Sequence, residues 1–238
     1  RNFDKSYFFL GTGAKISNDK ILLCTPNHTL ERIYAIKDKD NLFFSNSLPF
    51  ILERTKSNLN RSFLRYEEYF SSILKGLDNY QKDIPLADNK NLLLYYNCNI
   101  EIDLNLNSII RKKNRSPQFK DFDNYYKYIN QYIEALKNNL RSSERKITYD
   151  FITTISSGYD AAACAALAVD HGCDTAVTFN EPDKYKADSG DKIAKILGYK
   201  NIYFANANEY LTNKELVEAE YICSGELGTG IVFSAFDN

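Results

Sequence analysis

The sequence is poor in several residue types that carry familiar chemistry. It contains no methionine, and its 238 residues include only two histidines, His28 and His171. Two histidines so far apart do not give the ligand spacing of a histidine-based metal centre. They also give little basis for a Ser-His-Asp triad, in which a histidine stands between nucleophile and carboxylate. Neither kind of site is therefore expected.

Cysteine is scarce and scattered. Cys24, Cys98, Cys164, Cys173 and Cys223 lie far apart and form no Cys-x-x-Cys pair. This spacing does not suit a disulfide framework or a zinc knuckle. We expect reduced thiols, some of them buried.

Long apolar runs and a strong net charge are absent as well. Hydrophobic residues make up 44% of the chain and charged residues 26%, which is typical of a globular protein. No run is long enough for a membrane span, and no cleavable signal stands at the start. We therefore expect a cytoplasmic protein without a membrane partner. The formal net charge of −1 provides no long-range attraction to nucleic acid, so a nucleic-acid partner is not expected.

The first half of the chain has the pattern of a β-rich domain. Residues 6–53 contain short apolar runs, beginning with Phe8–Leu10, that alternate with turn-forming residues. This pattern predicts a meander of antiparallel strands. Apolar residues at helical spacing and two further apolar runs add two helices and two strands. The helices are predicted at 48–55 and 66–76, and the strands at 92–96 and 100–106.

The second of those strands shows a strict alternation. Ile100, Ile102, Leu104 and Leu106 are separated by single polar residues. A period of two places the four apolar side chains on one face of a strand. We expect that face to be buried and the polar face to be exposed.

A basic and polar segment, residues 107–120, is predicted to be an exposed connection between two domains. Its Arg111–Arg115 cluster is interpreted as a solvated part of that connection, with contact to nucleic acid as the alternative. Residues 121–140 have the spacing of an amphipathic helix. Its stripe of tyrosine, isoleucine and leucine side chains is expected in the core.

From residue 146 onward, predicted strands alternate with predicted helices. The strands are predicted at 147–156, 174–180 and 201–206, and the helices at 159–170 and 188–197. Such alternation predicts a parallel sheet with right-handed crossovers. In open sheets of this kind, ligands bind outside the carboxyl ends of the strands.

The turn Ser156–Asp160 stands at the first of these carboxyl ends, and the residues after Phe179 and Phe204 face the same crevice. The turn leads into an alanine-rich helix, whose N-terminus presents unpaired N–H groups and a partial positive charge that stabilise a phosphate. Serine as N-cap, Gly158 in a tight turn and Asp160 in the first helical turn also suit a plain helix start. Both interpretations stay open, because neither a Walker A loop nor a G-x-G-x-x-G fingerprint is present.

The six residues Ser156–Ala161, S-S-G-Y-D-A, resemble the S-G-G-x-D-S pyrophosphate loop of the N-type ATP pyrophosphatases. This group includes asparagine synthetase, β-lactam synthetase, NAD and GMP synthetases and tRNA thiolation enzymes. The order of predicted strands and helices after the loop is similar to that family. Upstream, residues 31–52, 92–103 and 119–136 resemble segments of the asparagine synthetases, so the resemblance covers most of the chain.

The resemblance implies an α/β protein of two domains. Residues 1–115 would form a degenerate class II glutamine amidotransferase-like domain, an α+β sandwich of the N-terminal nucleophile (Ntn) type. Residues 116–238 would form an incomplete parallel-sheet domain of the ATP-pyrophosphatase type, also called adenine-nucleotide α-hydrolase-like or PP-loop. The implied function is that of an ATP-dependent amide-bond-forming ligase. It would activate a small-molecule carboxylate as an acyl-adenylate, release pyrophosphate, and join the acid to an amine or ammonia with loss of AMP.

The resemblance also assigns ATP and Mg²⁺ as cofactors, with Asp160 as the metal ligand. The residues that would bind ATP are Ser156, Ser157, Gly158, Tyr159, Asp160, Ala161, Thr178 and Phe179. Thr178 and Phe179 would lie near the adenosine. Residues 224–226 would belong either to an acceptor pocket or, as the commoner case, to a surface turn. A homodimer, or a separate protein that supplies ammonia, is the implied partner.

The chain departs from the family pattern at three points. No cysteine stands near residue 1, so we expect glutaminase activity to be lost. Ser157 replaces the second glycine of the loop, and Ala161 replaces its last serine, which removes a hydroxyl donor. Two alternatives to the ligase are therefore kept: a non-catalytic nucleotide-binding or scaffold descendant, and a tRNA-modifying ATP pyrophosphatase, against which the neutral charge argues.

Overall fold

The structure, a computed structural model, describes residues 3–6, 9–113, 117–180 and 189–206. These residues belong to two compact units, one ending before and one beginning at Pro117. The described part contains antiparallel sheets and a small parallel sheet connected by helices. This confirms a mixed α/β protein, with antiparallel strands in the majority. The family identities of the two domains stay predictions.

The described part of the first unit contains two four-stranded antiparallel sheets and two α-helices. The first sheet has the order β1-β2-β7-β8, with β1 at Gly13–Ile16, β2 at Lys20–Cys24, β7 at Cys98–Asp103 and β8 at Ser108–Lys112. The second has the order β4-β3-β6-β5, with β3 at Ile33–Asp38, β4 at Asn41–Ser45, β5 at Asp83–Pro85 and β6 at Asn91–Tyr95. Helix α1 spans Leu48–Thr55 and α2 spans Tyr66–Ser71, which a 3-10 turn extends to Lys75. The two predicted helices are therefore confirmed.

Strand β3 lies between two apolar clusters because its side chains alternate. Ile33 packs with Ile100 and its neighbours on the first sheet. Tyr34 and Ile36 point to the opposite face and pack with Ile51 of α1. Each fully buried side chain of this size contributes about 1.5–3 kcal/mol through the hydrophobic effect. The first unit is therefore held together in layers. The first sheet packs on the second sheet, and the second sheet packs on α1.

The predicted meander is wrong. Phe9 and Leu10 are not in a strand, and the first four strands belong to two different sheets. Strand β2 pairs with the distant β7, where Leu23 lies opposite Ile100, rather than with β3. Just after β2, the Thr25 hydroxyl accepts a hydrogen bond from the backbone N–H of Cys98 at 2.8 Å and donates to its carbonyl at 3.1 Å.

The predicted alternation over 100–106 ends early. Ile100 and Ile102 are buried, but Leu104 and Leu106 are exposed. The Asp103 carboxylate accepts hydrogen bonds from the backbone N–H groups of Asn105 and Asn107, at 2.9 and 2.8 Å. These bonds close a turn instead of extending the strand. The chain then returns as β8, so residues 108–112 of the predicted exposed connection form a strand, and all five are exposed.

The second unit contains a parallel sheet and three helices in its described part. Helix α3 spans Phe122–Leu140, α4 spans Tyr159–Asp170 and α5 spans Asp191–Leu197. The strands are β9 at Thr153–Thr154, β10 at Thr175–Asn180 and β11 at Asn201–Asn206, in the order β11-β10-β9. Ile155, Ala165, Ala176 and Ala194 form the centre of its apolar core. Small alanine side chains let α4 and α5 approach the sheet closely.

The strand predicted at 147–156 is much shorter than expected. Only Thr153 and Thr154 pair with β10, and the N–H of Ile155 adds a bond to the carbonyl of Val177 at 2.9 Å. Ile147 and Ile152 are exposed, at 63% and 70%. The apolar pattern there does not correspond to a buried strand.

Helix α3 confirms the predicted helix, and Asp121 caps it by accepting a hydrogen bond from the N–H of Asn124 at 2.8 Å. The expectation that its aromatic stripe is core is wrong, since none of its described residues is buried. Tyr125 is 44% exposed, and the other five residues of the stripe are half-buried: Tyr128, Ile129, Tyr132, Ile133 and Leu136. Within the described ranges, no helix is both long and apolar enough to cross a membrane.

Candidate functional site

The Ser156–Ala161 loop joins the end of β9 to the start of α4. Because β9, β10 and β11 are parallel, their carboxyl ends lie at one edge of the sheet. Ser156 forms an isolated backbone bridge with Ser189, two residues before α5. The structure therefore brings together the loop predicted from the sequence and the segment that precedes α5.

The N-cap of α4 is Gly158 and not a serine. Its backbone has φ −74° and ψ 154°, and no side chain of the described residues forms a capping hydrogen bond. The Ser156 Oγ atom instead accepts a hydrogen bond from the N–H of Gly158 itself, at 3.2 Å. The interpretation of the turn as a serine-capped helix start is corrected by this geometry. No described side chain caps the N–H groups of the first helical turn.

The loop and the first turn of α4 are open to solvent. Tyr159 is 95% exposed, and Ser157, Gly158 and Asp160 are exposed too. Ala161 is partly buried. Asp160 stands in the first turn, where the helix dipole stabilises a negative charge. An anion from solution can reach these backbone N–H groups.

Thr178 and Phe179, predicted to lie near adenosine, differ in exposure. Thr178 is fully buried, and its Oγ1 atom accepts a hydrogen bond from the N–H of Gly190 at 2.8 Å. Phe179 is 43% exposed. The geometry of Thr178 favours a role in positioning α5 over direct contact with a ligand, whereas the ring of Phe179 is accessible.

The start of α5 was not among the predicted site residues. A Cβ atom on Gly190 would lie 2.8 Å from the carbonyl carbon of Ile155, so only glycine allows this close approach to the loop. Asp191 lies 3.0 Å from the ammonium of Lys195, whose hydrogen bond lowers the pKa of the carboxyl. In the sequence, Ser189-Gly190-Asp191 stands directly before a run of apolar residues at helical spacing. This pattern is the signal that could have identified the start of α5.

The described residues of this loop could hold Mg²⁺ only if phosphate oxygens supplied part of its ligands. Among residues 3–6, 9–113, 117–180 and 189–206, no three His, Cys, Asp or Glu side chains cluster as a metal site. Mg²⁺ in nucleotide sites commonly uses one or two carboxylates and completes its shell with phosphates and water. Asp160, an exposed carboxylate at the helix start, meets that requirement.

The two cysteines that the structure describes in the first unit do not have the environment of a nucleophile. Cys24 and Cys98 are buried, and desolvation raises the pKa of each thiol to about 11. The thiolate is the reactive form, and burial suppresses it.

The basic segment predicted as a solvated connection is partly neutralised. The Arg111 guanidinium pairs with both carboxylate oxygens of Glu101, and Lys112 pairs with Asp78. Arg115 lies outside the described residues, as do the segment after residue 206 and the acceptor-pocket residues predicted at 224–226.

No family model matches the chain, and no curated protein matches it either.

Proposed function

We propose that the chain is an ATP-dependent amide-bond-forming ligase similar to asparagine synthetase, with the Ser156–Ala161 loop as its pyrophosphate site. One observation carries the proposal. Among the described residues no side chain caps helix α4, which begins at the carboxyl edge of parallel strands with exposed residues in its first turn. The family resemblance of the loop identifies the anion that would bind there as pyrophosphate.

The loop suits pyrophosphate for electrostatic reasons. Backbone N–H groups and the helix dipole stabilise negative charge at α4, and the hydroxyls of Ser156 and Ser157 add possible donors. Asp160 would hold Mg²⁺, which offsets the charge of the phosphates. These groups favour the departure of pyrophosphate because they stabilise charge that grows during the reaction.

The reaction follows from that assignment. A substrate carboxylate oxygen attacks the α-phosphorus of ATP, which forms an acyl-adenylate and breaks the bond to pyrophosphate. An amine or ammonia then attacks the acyl carbon, loses a proton and displaces AMP. The acid and the amine are small molecules in this proposal.

The proposal includes loss of glutaminase activity in the first unit. Cys24 and Cys98 are buried thiols with raised pKa values, which does not favour either as a glutaminase nucleophile. Ammonia would come from solution or from a separate protein, and a homodimer is compatible with this scheme. A cytoplasmic location is also part of the proposal, because Cys24, Cys98, Cys164 and Cys173 are free thiols.

A non-catalytic nucleotide-binding protein is the second candidate, favoured by one observation. Ser157 adds a side chain at an exposed loop position where the family has glycine, and Ala161 lacks the family's hydroxyl. A tRNA-modifying enzyme has less support, because Arg111 and Lys112 are paired with carboxylates and are not free for phosphate contacts.

The test combines binding and turnover. Affinity for Mg²⁺-ATP and Mg²⁺-pyrophosphate would be measured by calorimetry, and ATP–pyrophosphate exchange would be assayed with a panel of carboxylates. Asp160→Asn is expected to weaken binding by about tenfold or more, because it removes the metal ligand. Asp170→Asn, at the other end of α4, is the matched control and should have no effect.

Each outcome distinguishes the candidates. Exchange with any carboxylate supports the ligase, and binding without exchange supports the non-catalytic protein. Absence of affinity for both nucleotide and pyrophosphate would refute the site altogether. The double variant Ser157→Gly, Ala161→Ser restores the family pattern and should raise affinity for pyrophosphate.

A further inference from the structure

The two buried cysteines of the first sheet lie on opposite faces of it. Gly13, Cys24 and Asn99 stand directly opposite one another on β1, β2 and β7. Residues paired in this way have their side chains on the same face of a sheet. Cys98 precedes Asn99 in β7, so it points to the other face, where it packs with Ile33 of the second sheet. The Cys24 thiol is therefore on the face that does not pack on the second sheet, yet it is fully buried.

A short 3-10 turn, Phe3–Lys5, covers that face around the thiol, and we call this turn the lid. The Phe3 ring lies against Gly13, because a Cβ atom on that glycine would stand 2.7 Å from the ring. The carbonyl of Asp4 accepts a hydrogen bond from Asn99 Nδ2 at 2.9 Å. The lid thus contacts the residues on both sides of the thiol.

The attachment of the lid to the sheet is incomplete. None of the three residues of the lid is buried as a whole. The Oδ1 atoms of Asp4 and Asn99 are nevertheless out of contact with solvent, and neither has a hydrogen-bond partner in the described part of the chain. An unpaired buried polar atom costs about 1–3 kcal/mol. Water reaches both atoms when the lid lifts, which offsets part of the free energy of opening.

The sheet beneath the lid is held by other contacts. Strand β2 is paired with β1 on one side and with β7 on the other. Leu23 and Ile100 pack in the core on the face opposite the lid. Segments with few buried contacts open at a lower free energy than core strands do. The lid can therefore lift while β2 stays paired.

Lys113 is a cation beside the thiol that the lid does not hold. Its ammonium donates to the carbonyl of Thr25 and to Asn27 Oδ1, neither of which belongs to the lid. With the lid closed, burial raises the pKa of the Cys24 thiol to about 11, while the charge of Lys113 lowers it and that of Asp4 raises it. Opening removes part of the burial and moves the Asp4 carboxylate away. The ammonium of Lys113 remains and favours the thiolate, which is the reactive form.

We propose that the lid opens without unfolding of the sheet, and that the exposed Cys24 then undergoes thiol–disulfide exchange with a small disulfide such as oxidised glutathione. The Cys24 thiol gives its proton to solvent, and the thiolate attacks one sulfur of the disulfide. The S–S bond of glutathione breaks, a new S–S bond to Cys24 forms, and one glutathione leaves as a thiolate. The closed lid leaves the thiol no exposed surface, so a glutathionyl group cannot be accommodated there and holds the lid open. The lid and Cys24 together form a redox-sensitive conformational switch that a thiol reductant reverses.

The first experiment measures opening of the lid by alkylation of the full chain with iodoacetamide, followed by peptide mapping. Cys98 is the internal reference, because it lies on the other face of the same sheet and its thiol also has a pKa raised to about 11. We expect Cys24 to react at least about tenfold faster than Cys98, and more slowly than the exposed Cys164. Equal rates at Cys24 and Cys98 would overturn the proposal, because they mean that the two thiols become accessible together.

Two variants loosen the lid from different sides. Gly13→Ala places a Cβ atom against the Phe3 ring, and Phe3→Ala removes that ring. Gly11→Ala is the matched control, because no atom of the described residues lies within 4 Å of its new Cβ. We expect both loosening variants to raise alkylation of Cys24 by about tenfold and to leave Cys98 unchanged, whereas the control behaves as the wild type does. If the loosening variants react as the wild type does at Cys24, the lid does not control access to the thiol.

The second experiment tests the switch with oxidised glutathione. Mass spectrometry should find the adduct on Cys24 and not on Cys98. Trypsin then reports the state of the lid, because it cleaves after the exposed Lys5 and needs a locally opened chain. We expect the adduct to accelerate this cleavage at least about tenfold and dithiothreitol to restore the original rate. In Cys24→Ser, glutathione should have no effect on the cleavage. An adduct on Cys24 that leaves the cleavage rate unchanged would contradict the proposed switch.

Discussion

The backbone N–H of Gly190 donates a hydrogen bond to the Oγ1 atom of Thr178 at 2.8 Å, and this bond joins the start of α5 to strand β10. Thr178 is fully buried, so the N–H has no access to water as an alternative partner. The pair therefore fixes the segment that lies against the loop of α4.

Thr178→Val should destabilise the protein by about 1–3 kcal/mol, because it leaves the buried N–H of Gly190 unpaired. Thr178→Ser keeps the acceptor and loses one methyl group, which costs about 1 kcal/mol. Urea unfolding of the three proteins measures the difference. If valine is tolerated as well as serine, the hydrogen bond does not hold α5 in place.

Gly190→Ala tests the close approach of α5 to the end of β9. The new Cβ atom would lie 2.8 Å from both the carbonyl carbon and the Cγ1 atom of Ile155, and backbone cannot move aside as a side chain can. We expect a loss of about 1–3 kcal/mol in unfolding free energy. Gly158→Ala is the control, because its nearest neighbour is the Ser156 Oγ atom at 3.3 Å and its φ is −74°. That change should cost less than about 1 kcal/mol, and equal losses would contradict the steric argument.

A histidine joins α3 to the end of α4, and this contact predicts an acid-sensitive stability. The His171 Nδ1 atom lies 3.1 Å from Glu134 Oε2, and Nε2 lies 2.7 Å from Asn130 Oδ1. The Asn130 amide nitrogen donates to the carbonyl of Tyr126, which orients its oxygen toward the ring. The two ring nitrogens therefore lie at hydrogen-bond distance from one carboxylate oxygen and one amide oxygen. The hydrogen bond from His171, with a smaller contribution from Lys137, lowers the pKa of Glu134.

The pKa of Glu134 is lower in the folded protein than in the unfolded chain. The Glu134 carboxylate therefore stabilises the fold at pH values above its unfolded-state pKa. This stabilisation is lost as the pH falls through its folded-state pKa. The wild type should therefore lose more unfolding free energy than Glu134→Gln between about pH 5 and pH 3. In a His171→Gln background, Glu134→Gln should have a smaller effect on how steeply the unfolding free energy falls with pH. If the unfolding free energies of the wild type and Glu134→Gln change equally with pH, the contact between Glu134 and His171 is too exposed to contribute to stability.

Local signals in the sequence predicted local structure well. Helix α4 was expected at 159–170 and is found there, because Gly158 and Gly172 delimit its alanine-rich run. Helix α1 begins where Ser47 accepts a hydrogen bond from the N–H of Phe50. Caps and periodicity act within a few residues, so they can be recognised without knowledge of the fold.

Pairings between distant segments were not predictable in the same way. The bond between Thr25 and Cys98 joins residues 73 positions apart, and nothing near Thr25 in the sequence indicates its partner. Leu104 and Leu106 continue the alternation of a strand, but the side chain of Asp103 forms a turn first. In the candidate site, the loop was recognisable from its own residues. The burial of Thr178 was not, because it depends on where Gly190 packs.

Burial should also decide which cysteines react. Cys164 is exposed on α4, whereas Cys24 and Cys98 are buried and have pKa values raised to about 11. At pH 8 a thiol with such a pKa is only about 0.1% thiolate, and thiolate is the form that attacks iodoacetamide. Peptide mapping after brief alkylation should find Cys164 modified and the other two at least about tenfold slower. Labelling in urea, where all three sites are exposed, is the control. Rapid labelling of Cys24 or Cys98 in the folded protein would mean that the core around β2 and β7 opens readily.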